Sequence, residues 1–334
     1  MTTSSDSLDL SVFIVSYNTA ERTVEAVRSV FEQRGSLALE VIVVDNASKD
    51  HTVELLREQV PEARVIAETE NHGFAGGNHV AATQARGRYF LMLNPDAKLL
   101  EGSLDSILAF AARKPEAGLW GGWTFEEDGR VNPSFAWGRA TPWSTWCRAL
   151  GLARVFQNSA LFNPEGVATW TSEVEREVDI VTGCFLLISR DAWRALDGFD
   201  RDFFMYAEDA DLCLRARAHG YRPSISPAAK VIHVGGESEP DRGAKLVRLY
   251  TGKMLLARKH DGAFARWSMG TALAFGARLR WLGGLAKRLL GRPHGEATQR
   301  SWSTVLAHKH DWLAGRFGDF ARGKSTENRG REGT

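Results

Sequence analysis

Four short apolar runs at the front of the chain, the first two ending on Ser16 and Asp45, with segments of helical spacing between them, restrict the fold most. Residues 11–16 (Ser-Val-Phe-Ile-Val-Ser) pass through Tyr17-Asn18-Thr19 into Val24, Val27, Val30 and Phe31. Residues 40–45 (Glu-Val-Ile-Val-Val-Asp) pass through Asn46-Ala47-Ser48 into Val53, Leu55, Leu56 and Val60. Residues 64–67 form a third run and residues 89–93 (Tyr-Phe-Leu-Met-Leu) a fourth, which Pro95 cuts off. Short apolar runs without helical period are strands buried on both faces, and proline ends them because it cannot donate to a ladder. Strands alternating with helices of this length imply a mostly parallel sheet with right-handed crossovers and helices on both faces, an α/β fold.

Between the third and fourth strands, residues 71–78 read as a glycine-bearing loop that feeds a small-residue helix over 80–85. Beyond Pro95, Leu104, Ile107, Leu108 and Ala111 define a helix over 103–113, and residues 118–122 a further strand. Asp128-Gly129 between alternating residues predicts a hairpin. Residues 132–177 lose regular pattern and carry Trp137, Trp143, Trp146 and Trp170, an insertion suited to a surface loop or a lid. Strand character returns over 178–188, a helix starts at Arg190 and ends at Gly198-Phe199-Asp200, another runs from Glu208 to Gly220, and a last strand spans 230–234.

Composition narrows the rest. Net charge is +1 over 334 residues, so no global field draws the chain to nucleic acid. Cys147, Cys184 and Cys213 are odd in number and widely spaced, which suggests neither a disulfide framework nor a thiolate zinc site. The head, residues 1–9, is polar and acidic without a basic-then-apolar signal, and no apolar stretch is long enough to span a bilayer, so a cytoplasmic location is expected. From Asp261 onward 13 Lys/Arg face 6 acids. There Phe264, Trp267, Phe275, Leu279 and Leu282 interleave with Arg266, Arg278, Lys287 and Arg288, a pattern of helices that either pack on the domain or lie on the inner face of a membrane. The expected division is a domain over 10–260, a basic helical extension over 261–324, and disordered ends at 1–9 and 325–334.

The acids that fall at strand ends or helix starts are Asp45, Asp96, Glu208, Asp209 and Asp211, with His233 ending the last strand. A parallel sheet carries such positions to one edge, where open α/β sheets bind ligands. Taken alone, Asn94-Pro95-Asp96 would serve equally as a turn with Asp96 capping the next helix, and the three acids at 208–211 would suit a helix dipole. Taken together, Asp96 and a histidine suit Mg²⁺ or Mn²⁺, hard cations that complete their shell from phosphate oxygens, and a neighbouring carboxylate can then take a proton from an attacking hydroxyl.

Seven motifs in order carry a resemblance: Val15-Ser-Tyr-Asn18, residues 43–50 (Val-Val-Asp-Asn-Ala-Ser-Lys-Asp), Asn71-His-Gly-Phe-Ala-Gly-Gly-Asn78, Asn94-Pro95-Asp96, Gly198-Phe199-Asp200, Met205-Tyr-Ala-Glu-Asp-Ala-Asp-Leu212 and His233-Val-Gly-Gly-Glu-Ser238. Over residues 10–260 the chain resembles the family 2 glycosyltransferases of GT-A fold, within them the bacterial rhamnosyltransferase-like branch. The resemblance implies that Ser16, Tyr17 and Asn18 line the base and ribose pocket, and that Asp45 and Asn46 hold the base edge or ribose. It implies that Asn71, Gly73, Phe74, Gly76 and Asn78 form a loop beside base and diphosphate. Asn94-Pro95-Asp96 would stand for the Asp-X-Asp metal motif, with Asp96 and His233 as metal ligands and one negative charge fewer than the two-acid form. Asp209 would be the general base, while Glu208 and Asp211 position the acceptor or support the base. His79 stands where relatives often carry asparagine and has no assigned role. The implied activity is inverting, metal-assisted transfer of a sugar, L-rhamnose from dTDP-rhamnose being favoured, to a glycan or lipid-linked acceptor. The competing readings are a UDP- or GDP-sugar-dependent transferase of the same fold, a sugar-nucleotidyltransferase, whose glycine-rich basic signature is absent, and a nucleotide-sugar-binding module without catalysis.

Overall fold

The strand–helix alternation becomes a ten-stranded sheet in the computed structural model, which describes residues 8–166, 174–233 and 241–323. Its first part is β1 (Leu8–Ser16), α1 (Ala20–Glu32), β2 (Leu39–Asp45), α2 (Thr52–Gln59), β3 (Arg64–Ala67), α3 (Gly73–Gln84) and β4 (Gly87–Leu93). These strands lie in the order β3-β2-β1-β4, every pair parallel. Ser16 pairs with Asp45 and Asp45 with Ala67, so the ends of three strands stand level at one edge. Val12, Ile14, Val41, Val43 and Leu91 are fully buried with Val24, Val27 and Val30 of α1. Each such side chain contributes roughly 1.5–3 kcal/mol on leaving water, which is why the apolar runs form the centre of the layer.

The second part brings in antiparallel pairing. β5 (Ala97–Leu99), α4 (Ser103–Arg113), β6 (Leu119–Phe125), β7 (Val131–Asn132) and β8 (Ala136–Trp137) are followed by two short helices, α5 (Pro142–Ala149) and α6 (Leu152–Val155). Then come β9 (Arg176–Glu177), β10 (Ile180–Val181), β11 (Phe185–Ser189), α7 (Arg190–Ala195), α8 (Glu208–Ala218) and β12 (Ser224–His233). The sheet continues β4-β11-β6-β12-β5, with β11 antiparallel to both neighbours, β6 and β12 parallel, and β5 antiparallel to β12.

Three boundaries differ from the sequence reading. The glycine-bearing loop is already helix, α3 starting at Gly73, because the Asn71 side chain accepts from the Gly73 amide at 2.8 Å and turns the chain. The apolar run 178–188 is two strands: β10 leaves to pair with β8, while β11 joins the main sheet, and Thr182-Gly183-Cys184 steps between them. The last strand begins at Ser224 rather than Lys230, its front half hidden from a periodicity reading by a bulge between Ser226 and Lys230 that holds Pro227. The hairpin at Asp128-Gly129 and the helix over 103–113 form as read. Residues 1–7, 167–173, 234–240 and 324–334, which include the end of the His233 motif, Trp170, most of the expected disordered head and all of the expected disordered tail, lie outside the described residues.

Contacts divide the chain into two units. One holds the sheet and comprises Met1–Gly138, Trp170–Arg201 and Glu208–Ser238. The other is helical and comprises Arg139–Thr169, Asp202–Ala207 and Glu239–Thr334. It takes in α5, α6 and α9 (Arg242–His260) as well as α10 (Ala263–Leu289), α11 (Gly295–Ala307) and α12 (Lys309–Leu313) from the basic stretch. Its interior is aromatic: the Tyr250 ring meets those of Trp312 at 5.2 Å and Trp302 at 6.1 Å. Burial pushes the Glu165 carboxyl up, but Lys253 at 3.5 Å and Arg148 at 3.1 Å outweigh it and hold the group below its ordinary value.

Gly122 shows how closely the sheet is built against the β12 bulge. A Cβ there would lie 2.2 Å from the Ala229 carbonyl oxygen, a backbone atom that cannot swing away. Gly122→Ala should therefore lower stability by about 1–3 kcal/mol, the range for overpacking, seen as a lower denaturant midpoint with an unchanged slope.

Candidate active site

Register alone brings two of the expected groups together. β5 pairs with β12 so that Ala97 stands opposite His233, which places Asp96, one residue earlier, beside the imidazole. His233 Nε2 lies 3.3 Å from Asp96 Oδ1 and 3.2 Å from the Asn94 side-chain nitrogen. Asp96 is 8% exposed, and the other ring nitrogen, His233 Nδ1, is buried with no hydrogen-bond partner among the described residues. The turn that presents Asp96 is fixed at both ends: the Asn94 amide donates to the Cys184 carbonyl at 3.0 Å, and the Ala97 amide to the Asn94 carbonyl at 3.1 Å.

Asp209 reaches the same place from the start of α8. Its Oδ2 accepts from the Gly183 amide at 3.0 Å and its Oδ1 from the Ala210 amide at 2.8 Å. Cys184 links the two carboxylates. Its thiol is buried and pushed up to about 12, first by desolvation and then by the nearby charges of Asp96 and Asp209. The turn that presents Asp96 and the Asp209 carboxylate thus bond to adjacent residues, Cys184 and Gly183.

The acids of α8 divide by environment. Burial raises the Asp209 carboxyl above its ordinary value, and the two amide donors offset this only in part. Glu208 is raised well above its ordinary value, first by burial and then by the charge of Asp209, and its Oε2 is buried with no partner among the described residues. Asp211 is different: its Oδ2 accepts from Arg215 Nε at 2.7 Å, and the same guanidinium donates to the carbonyls of Leu196 and, at 2.8 Å, Gly198. Asp211 is 1% exposed, so this carboxylate braces the turn at Gly198. Directly before α8, Tyr206 and Ala207 both hold left-handed φ values, +71° and +72°, uncommon for residues with a Cβ and a sign of backbone held under strain.

At the ends of β1 and β2 the expected nucleotide residues form a connected network. Asp45 Oδ2 accepts from the Ser48 amide at 3.0 Å, while its Oδ1 is buried without a hydrogen-bond partner among the described residues. Asn18 accepts from the Lys49 amide at 2.7 Å, and its own amide donates to the Ser48 hydroxyl at 2.9 Å. Tyr17 beside it is half-buried. Asn46 donates to the Gly73 carbonyl at 3.0 Å, tying β2 to the start of α3. The Ser16 hydroxyl points inward to Thr19 and Thr23, at 3.1 and 2.9 Å. Asn78 is fully buried and donates to the Phe74 carbonyl at 2.9 Å. A Cβ on Gly76 would strike the His72 side chain. The Phe74 ring meets Phe199 at 5.6 Å and closes over Gly183, where a Cβ would come within 3.2 Å of it. Gly183 therefore connects Phe74 to Asp209.

Gly183, Arg215 and Ser48 were not singled out in the sequence. The available signals were a glycine interrupting an apolar run, an arginine four residues after Asp211 on a helix, and a serine three residues after a strand-end aspartate. His79, given no role, donates from Nε2 to the Phe199 carbonyl at 2.6 Å and packs on Trp193, and burial lowers its pKa.

Glycosyl transferase family 2 matches residues 11–192. The N-acetylglucosaminyl-diphospho-decaprenol L-rhamnosyltransferase of Mycobacterium tuberculosis is 30% identical over 267 residues, covering 72% of this chain and 82% of that protein. Among solved structures, a mannosyltransferase from Pyrobaculum calidifontis in complex with GDP-Man and Mn²⁺ superposes with a TM-score of 0.54 at 18% identity, over 97% of this chain and 89% of that one. GalNAc-T7 with UDP, GalNAc and Mn²⁺ gives 0.55 at 14% identity, over 76% and 48%. At these identities the structures show the fold, which is GT-A.

The raised Glu208 carboxyl has a consequence for stability. A carboxyl whose folded pKa is raised contributes fully below its unfolded value and loses that contribution as pH rises through the folded value. Glu208→Gln should accordingly raise Tm at neutral pH and leave it unchanged below the ordinary carboxyl value of 4.5, as measured by thermal melts across pH.

Proposed function

Because this chain belongs to glycosyl transferase family 2, we propose that it transfers L-rhamnose from dTDP-rhamnose, with inversion, to a hydroxyl of a glycan or lipid-linked acceptor. The observation that carries this reading is that Asp96 lies 3.3 Å from His233 while its turn and Asp209 bond to the adjacent residues Cys184 and Gly183, an arrangement that supports a cation-binding pair near a carboxylate base. The rhamnosyl donor and lipid-linked acceptor are favoured by similarity to the mycobacterial rhamnosyltransferase.

The residues fit a hard divalent cation, Mg²⁺ or Mn²⁺. Asp96 offers a carboxylate oxygen and His233 an imidazole nitrogen, and among the described residues no cluster of three His, Cys, Asp or Glu surrounds a common point. Two protein ligands leave the other positions of such an ion to phosphate oxygens and water. When bound, the ion supplies positive charge to the departing nucleoside diphosphate.

The remaining work falls to the chain itself. Asp209, held by two amides with its carboxyl raised, takes the proton of the acceptor hydroxyl as it attacks the anomeric carbon. Glu208, buried against Asp209, supports the base or positions the acceptor, and Asp211 acts through Arg215. The unpartnered Asp45 Oδ1 accepts from the imide N–H of a pyrimidine base, while Tyr17, Asn18 and the backbone of Ser16 line its pocket. Asn46 and Asn71 hold the Gly73 turn, and Phe74, Gly76 and Asn78 shape the wall beside base and diphosphate. A lipid-linked acceptor is presented at a bilayer surface, which the basic helical extension is suited to meet.

Donor turnover should rank dTDP-rhamnose above UDP- and GDP-sugars, and equal use of a UDP- or GDP-sugar would replace the donor assignment. Asp209→Asn should lower kcat by about 10²–10⁴-fold while titration calorimetry finds dTDP affinity retained; wild-type turnover removes Asp209 as base. In the parent enzyme the acid limb of kcat/KM should lie above the ordinary aspartate value of 3.8, since the base must be ionised. Asp96→Ala should lose activity and also the metal dependence of dTDP binding.

A further inference from the structure

α10 has two apolar faces of different kinds. Its inner face packs small residues, among them Gly270, Ala272, Ala274, Gly276 and Ala277, which are buried within the helical unit. Its outer face carries Phe264, Trp267, Phe275, Leu279, Leu282 and Leu289, all exposed, Phe264 at 76%, Trp267 at 64% and Leu289 at 78%. At 3.6 residues per turn these six fall within one stripe along a helix of 27 residues, roughly 40 Å long. A helix that packs inward on small residues and leaves these six exposed, with Phe275 resting partly on the Trp146 ring at 5.9 Å, has a second surface to cover.

Charge decides what covers it. Residues 262–295 contain six Lys/Arg and no Asp or Glu. Arg280 is used internally, donating to the Arg148 carbonyl at 2.7 Å and lying over the Trp302 ring. Arg266, Arg278 and Lys287 are exposed, and among the described residues no carboxylate pairs with them. Beside the stripe a groove of about 560 Å³ is lined by Trp146, Trp267 and Phe275 together with Arg266, Arg278 and Lys309, aromatic walls with three cations. A second copy of this chain would set like charges against one another, since the face holds no acid to answer them. An anionic lipid surface answers both the charge and the apolar stripe, and tryptophan with arginine is the pairing suited to the headgroup boundary. No described helix is long and apolar enough to cross a membrane.

We propose that this face of α10 lies flat in the headgroup region of an anionic bilayer, with the aromatic stripe inserted and Arg266, Arg278 and Lys309, the cations that line the adjacent groove, on lipid phosphates. The face is independent of the chemistry assigned to Asp96 and Asp209, so it is tested without turnover. The full chain is sedimented with phosphatidylglycerol-rich vesicles and with pure phosphatidylcholine vesicles. Binding should favour the anionic vesicles, fall about tenfold or more in Phe264→Ser/Trp267→Ser/Leu282→Ser, and fall again in Arg266→Glu/Arg278→Glu or near 1 M salt, where the Debye length is about 3 Å. Thermal melts and transfer to a water-soluble acceptor should be unchanged in both variants, since these side chains are exposed. As a check free of multiple substitution, brominated lipid should quench the parent more than Trp267→Phe. Failure of the parent to bind anionic vesicles, binding that survives the apolar triple variant, or a dimer that the same substitutions dissolve would each overturn the proposal.

Discussion

The site depends on β11 running antiparallel between β4 and β6. That orientation brings the residues entering β11 to the end of β4, where the Cys184 carbonyl receives the Asn94 amide and the Gly183 amide reaches Asp209. Two adjacent residues thus fix both the turn that presents Asp96 and the carboxylate that begins α8. The pairing of β5 with β12 then adds His233 through register.

Holding acids this way has a cost that the rest of the sheet unit offsets. Glu208 and Asp209 are adjacent carboxyls with both pKa values raised by burial. The helix dipole at the start of α8 favours their charge, and amide donors favour Asp209 further, yet Glu208 keeps a buried oxygen without a partner among the described residues. Asp211, by contrast, is compensated fully enough by Arg215 to act as a brace. Three acids within four positions therefore have three different physical states, and this difference suits one of them to proton transfer.

Much of this was legible in the chain. The parallel front half follows from apolar runs of strand length alternating with helical spacing, and Asp45, Asp96 and His233 stood out because Asp45 ends such a run, Asp96 follows one within three residues and His233 closes the last strand. What escaped the sequence lies where two signals overlapped. Residues 178–188 read as one strand because apolar character continues across Thr182-Gly183-Cys184, and only pairing shows that the two ends join different sheets. For the same reason Gly183 looked like an interruption rather than the donor to Asp209. The front of β12 was hidden by Pro227 in its bulge, and the first turn of α3 by glycines that usually mark loops. Ser16 and Asn46 were legible as polar groups at strand ends, but whether such a group faces a ligand or ties the backbone, as Asn46 does to Gly73, depends on contacts between segments distant in sequence.

The central claim is that one cation-bound diphosphate sits between the β4–β5 turn and the end of β12, facing Asp209. It is tested most directly by a crystal structure with dTDP and Mn²⁺, the ion located by its anomalous signal. The account predicts a peak bonded to Asp96 and His233 and to diphosphate oxygens, with the base against Asp45. A manganese peak away from both residues, or a nucleotide bound elsewhere on the sheet edge, would contradict it.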